Sequence, residues 1–105
     1  MMQSDCDACL KLILPRSLEE PVVDFLLQHP AQAGAFIAYG VDGHGAPESI
    51  LSTSEEVRGR AERIKVEILT REVQARQLVA ELNLLLPGAP ISYWITTIVE
   101  AGRFA

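Results

Sequence analysis

Between positions 63 and 68 apolar and charged residues alternate without a break, with Ile64, Val66 and Ile68 set against Arg63, Lys65 and Glu67. Side chains along a strand have a period of two, so this segment has one greasy face and one charged face. A helix would scatter both sets around its circumference. The strand it marks runs from Ala61 to Leu69, and a chain built around it needs neighbouring strands in register and a cover for the greasy side only.

Other segments meet both needs. Ala8 to Leu14 alternates Leu10, Leu12 and Leu14 with Cys9, Lys11 and Ile13, and Pro15 closes it. Ala35 to Val41 is rich in aromatic and β-branched residues, and Ile91 to Val99 is a last strand in which adjacent Tyr93 and Trp94 point to opposite sides of the sheet, one of them to the core. Ser17 stands three residues before Glu20, the spacing of a capping box. Leu18, Val22, Phe25, Leu26 and His29 then recur at helical spacing until Pro30, which predicts a helix from Leu18 to Gln28 with His29 as a cap or core imidazole. Thr70 is placed to cap a second helix, whose stripe Val73, Leu78, Leu82 and Leu85 runs to the Pro87-Gly88 stop. The order is β-α-β-β-α-β. This is an α+β chain of ferredoxin-like form, a four-stranded antiparallel sheet with two helices on one face, and that architecture hosts many unrelated functions.

At 105 residues, positions 1–105 read as a single domain. No apolar run approaches the roughly 18 residues of a membrane span. The opening MMQSDCDAC carries acids where a secretory signal has a basic flank, so a soluble, cytoplasmic protein is expected. Cys6 and Cys9 are too close together to staple a fold and read as free thiols in a reducing compartment, Cys9 buried and Cys6 exposed. Their C-x-x-C spacing suits a redox or metal pair only if Cys6 lies in an irregular lead-in, because strand positions three apart face opposite ways. A net charge of -5 argues against a nucleic-acid partner.

Two constellations carry chemistry. Arg58, Arg60, Arg63 and Lys65 crowd a short stretch, and Gly59 lets a ligand approach the backbone, so Arg58, Gly59 and Arg60 form a candidate anion site in which a guanidinium fork grips carboxylate or phosphate. Arg63 and Lys65 lie on the polar face of a strand, where pairing with acids such as Glu67 is the commoner role. In Asp42-Gly43-His44-Gly45, carboxylate and imidazole are two residues apart on a glycine-rich turn and can reach one divalent metal, although such a pair is more often a solvated loop. From Gly40 to Pro47 glycine and proline oppose regular structure, and a long loop, mobile from 43 to 54, is expected there. No nucleophile motif and no phosphate-binding loop is present, which points away from an enzyme.

The residues LLQHP (Leu26 to Pro30), YGVDGHG (Tyr39 to Gly45), EEVRGRAERIKVEIL (Glu55 to Leu69) and YWITTIVEAGR (Tyr93 to Arg103) together resemble the PII-like superfamily, which includes nitrogen-regulatory PII proteins and CutA. Within it the chain looks like a small uncharacterised bacterial family often encoded beside heavy-metal efflux pumps. The resemblance implies a homotrimer whose long loop between strands two and three senses a ligand or docks a partner, with a membrane efflux system as that partner. The mixed face of Cys9, Lys11, Ile13, Arg63 and Lys65, too apolar for solvent and too charged for a core, suits the meeting of subunits in such a trimer. Nucleotide-binding PII proteins carry a Gly-Asp-Gly-Lys type turn before the last strand. Leu86-Pro87-Gly88-Ala89-Pro90 has no lysine and two prolines without N–H groups, so ATP binding is not carried over. The expectation is a non-enzymatic sensor, with a CutA-like protein binding divalent metal directly as the alternative and an acylphosphatase-like enzyme ranked last.

Overall fold

Strand β1 (Ala8–Pro15) lies in the middle of the sheet, with β3 (Ala61–Thr70) on one side and β4 (Ser92–Thr97) on the other; β2 (Phe36–Gly43) pairs with the outer edge of β3. The computed structural model describes residues 6–44 and 61–104. All three pairings are antiparallel, in the order β2-β3-β1-β4. Between β1 and β2 run a 3-10 turn (Arg16–Leu18), helix α1 (Glu19–Leu27) and the single turn α2 (Pro30–Ala33), and α3 (Glu72–Leu85) joins β3 to β4. This is the ferredoxin-like arrangement anticipated from the sequence, with α2 added.

The alternation in β1 and β3 decides where the core sits. Leu10, Leu12 and Leu14 stand opposite Ile68, Val66 and Ile64 and form its floor; Val22, Phe25, Leu26, Ala33, Ala75, Leu78 and Leu82 close it from the helices. Removing a large side chain here is expected to cost about 2–5 kcal/mol, because a lost transfer term and a residual cavity add together.

Helix ends depart from the sequence reading. Ser17 already lies within the 3-10 turn and Leu18 takes the N-cap position of α1 without a side-chain bond, so the capping box does not form. Thr70 remains in β3, its hydroxyl donating to the Gln32 carbonyl at 2.5 Å, and Arg71 occupies the N-cap position of α3. The service expected of Thr70 comes from Asp7, whose carboxylate accepts the Glu72 N–H at 2.8 Å. In α3 the buried stripe is Ala75, Leu78 and Leu82, while Val73 and Leu85 are exposed: the helix rests on the small Ala75, rolled away from the stripe expected for it. Gly34 ends α2 at φ 59, a left-handed conformation that glycine adopts without a Cβ penalty.

Strand β2 is longer than glycine content suggested. Gly40, Asp42 and Gly43 lie in the ladder opposite Ile64, Glu62 and Ala61, since pairing with a strongly alternating partner overrides weak local propensity. Gly43, expected to be mobile, is therefore a buried strand residue, His44 follows it, and residues 45–54 of that expectation lie outside those described. The final strand stops at Thr97, so Ile98 and Val99 lie beyond it.

Candidate functional site

Where β2 and β3 end together, the helices no longer cover the sheet. Asp42 and Glu62 face each other across the ladder on the helix side, beyond the Gly40–Ile64 pair, and both are exposed. Arg16, the first residue after β1, reaches over them. Its Nη2 lies 3.8 Å from where a Cβ on Gly40 would stand. An open depression of about 360 Å³ results, lined by Arg16, Asp42 and Glu62 and bordered by Gly40, Val41 and Arg63. Arg63 is buried at 3% exposure, and neither Arg63 nor Asp42 is without a partner. Arg16 is not among the site residues expected from the sequence. The available signal was that Pro15 ends a strand antiparallel to β3, which brings the next residue beside the mouth of the β2–β3 connection.

The expected metal pair is only partly assembled. Asp42 is fixed in a strand instead of on a turn, and His44 follows the strand, exposed. Among the described residues no three histidine, cysteine or acidic side chains come together. Arg58, Gly59 and Arg60 lie outside the described residues; Arg60 is one peptide bond from Ala61, the partner of Gly43 in the last described pair of the ladder.

A second surface of note is the sheet face without helices. The Tyr39 hydroxyl donates to Glu67, Lys65 Nζ lies 3.8 Å from Glu67 Oε2, and the same ammonium sits 5.5 Å from the centre of the Trp94 ring. Ile37, Leu69 and Trp94 surround this charged centre with exposed apolar surface. The bond to Glu67 raises the Tyr39 phenol above its ordinary range, because a phenolate could not donate and would repel the carboxylate. Cys9 lies at the end of this face, buried, and burial raises its thiol pKa. Cys6 is half-buried, and neither cysteine is in a disulfide. Neither Tyr93 nor Trp94 enters the core: Tyr93 stands half-exposed on the helix side and Trp94 on the open face.

The turn before β4 offers little to a phosphate. Ala89 and Ile91 donate their N–H groups to Leu86 and Ala89 carbonyls at 3.1 and 2.8 Å, and Pro87 and Pro90 have none to give. Among the described residues no helix is long and apolar enough to cross a membrane.

Comparison with solved structures agrees with this topology. A protein from Shewanella baltica of the family described as a protein of unknown function (DUF3240) superposes with a TM-score of 0.76 at 22% identity, over 97% of this chain and 100% of that one. A nitrogen-regulatory PII-like protein from Thiomonas intermedia, bound to ADP, AMP and bicarbonate, gives 0.67 at 17% identity over 94% and 96% of the two chains. A PII-like signalling protein from Thermus thermophilus gives 0.62 at 14% identity over 88% and 85%. At these identities the likeness establishes the fold. No functionally curated protein matches significantly. The DUF3240 family model, however, matches residues 4–105, and the chain belongs to that family of proteins of unknown function.

Proposed function

We propose that this protein is a non-enzymatic, PII-like sensor in which a small ligand bound at the open end of β2 and β3 sets the state of the connection between them. One observation carries the reading: Arg16, Asp42 and Glu62 meet where both stems of that connection leave the sheet, so a ligand held there touches the roots of the loop. Arg58 and Arg60 shortly precede Ala61 in the sequence, and in this reading their guanidinium groups join that of Arg16. A small oxyanion is the favoured ligand, since a fork of N–H donors holds carboxylate-like oxygens in pairs. Bicarbonate and AMP, found with the Thiomonas intermedia protein, are the first compounds to try. The turn before β4, with two prolines and with the Ala89 and Ile91 N–H groups already donated, supports leaving ATP out of the proposal.

The assembly is proposed to be a homotrimer in the cytoplasm, with the open sheet faces turned toward one another. Its support is the half-apolar face around Lys65 and Glu67, together with the two sheet edges: β4 carries no charge or proline and β2 only Asp42 near its end, so little guards either edge against pairing with another copy. A membrane metal-efflux system as docking partner belongs to the same reading and rests on the family resemblance.

Isothermal calorimetry with bicarbonate, AMP, Zn(II) and Cu(II) tests the site. The sensor reading expects anion binding that is lost in Arg16→Ala, Arg58→Ala and Arg60→Ala and kept in His44→Ala. Metal binding lost in His44→Ala, with no anion bound, would replace it by direct metal capture through Asp42 and His44.

A further inference from the structure

Past β4 the Ile98 N–H donates to the Asp7 carbonyl at 3.0 Å, and the chain then leaves the sheet. On this departing stretch Val99 is 97% exposed and Phe104 fully so. At the opposite end of β4 a cavity of about 250 Å³ opens between α3 and the sheet. Leu12 is its floor, Leu82, Leu86 and Ile91 are its walls, and Asn83 and Tyr93 stand at its mouth. Beside it runs the outer edge of β4, whose sequence SYWITT offers a row of backbone donors and acceptors.

We infer that residues 99–104 dock on a second copy of this chain, laid along the outer edge of its β4 with Phe104 in the cavity between α3 and β4. The chain's own cavity is out of reach. A return along the same strand needs a turn of at least two residues. With Glu100 and Ala101 in that turn, Phe104 comes level with Thr97, four residues and about 13 Å short of Tyr93. An outgoing path needs no turn, and 99–104 then reaches about 20 Å from Ile98, enough to enter a neighbouring molecule. Addition to a strand edge supplies main-chain bonds while a pocket receives the side chains that face it. The cavity walls are aliphatic and its mouth carries an amide and a phenol, which suits an uncharged ring. The edge of β4 also adjoins Trp94, so the docked segment would continue the surface through which subunits are proposed to meet. The inference therefore rests on the assembly reading.

The NOE measurement uses the intact chain without substitution, and amide exchange compares it with Phe104→Ala. Copies labelled with ¹³C at Leu and Ile methyls are refolded together with unlabelled copies, and isotope-filtered NOEs are recorded. The expected result is intermolecular NOEs from the Phe104 ring to methyls of Leu82, Leu86 and Ile91, with outward β4 amides exchanging at least about tenfold faster in Phe104→Ala. Phe104 NOEs confined to one chain, or none to these methyls, would overturn the inference. Light scattering on the same sample separates the two readings: a monomer removes the assembly and the docking together, whereas an assembled protein lacking these NOEs removes the docking alone.

Discussion

Glu67 accepts the Tyr39 hydroxyl and lies beside the Lys65 ammonium, so three titratable groups share one small patch of open sheet. Because the folded phenol holds its proton more tightly than an unfolded tyrosine, whose pKa is about 10, the native state binds more protons above that pH. Stability from this contact is complete below pH about 10 and falls as pH rises toward the folded pKa. Ultraviolet titration in a Tyr93→Phe background should show Tyr39 ionising above the ordinary tyrosine range, and Glu67→Gln should bring it back down. Asp7 offers a second test. Asp7→Ala removes the acceptor for Glu72 N–H and should lower stability by about 1 kcal/mol in urea unfolding, with Asp7→Asn close to wild type. This cap was illegible in the sequence, because 65 positions separate acceptor and donor. Ser17 and Thr70 had the right local spacing, but the tight turn after Pro15 and the extra residue pair at the end of β3 took them for other work. Of the two roles open to His29, cap or core imidazole, its contacts are those of a cap: Nδ1 faces the Phe25 carbonyl at 2.7 Å while Nε2 meets Glu81 at 3.1 Å, tying α1 to α3.

Elements were legible to the degree that both of their faces carry information. Strands β1 and β3 alternate sharply and were found nearly to the residue. Strand β2 has small residues at Ala38 and Gly40 on its helix side, where no helix covers it, so its own pattern stops before its pairing does. For α3 the apolar residues run most of the way around, and only the packing of Ala75 against the sheet chooses the face. A pair of substitutions checks that choice: Leu78→Ala should cost about 2–5 kcal/mol in urea unfolding, whereas Leu85→Ala, exposed, should stay within about 1 kcal/mol. Of the three residues at the candidate site, Arg16 and Glu62 lay outside the sequence expectation for the same reason that Asp7 did. Arg16 joins Asp42 and Glu62 only through the sheet order, and no spacing along the chain records that order.

For the molecule as a whole, the proposed trimer predicts a mass of three chains by light scattering at micromolar concentration. Trp94→Glu replaces the exposed indole opposite Lys11 with a carboxylate that a subunit contact would have to desolvate, and should reduce the particle to a monomer while leaving the circular dichroism of the fold unchanged. The position of β1 has another consequence, for the order of folding. This first-made strand is the central one, and it pairs on both sides with strands that come much later: Leu12 meets Val66 on one flank and Tyr93 on the other. Asp7 just ahead of it closes the circuit, donating its N–H to the Thr70 carbonyl and accepting the Ile98 N–H. Contacts of such long sequence separation must overcome loop closure before they contribute, so refolding should be slow for a chain of this length. During synthesis the greasy face of β1 must wait, unpaired on both edges, until β3 has left the ribosome, and one edge stays open until β4 follows.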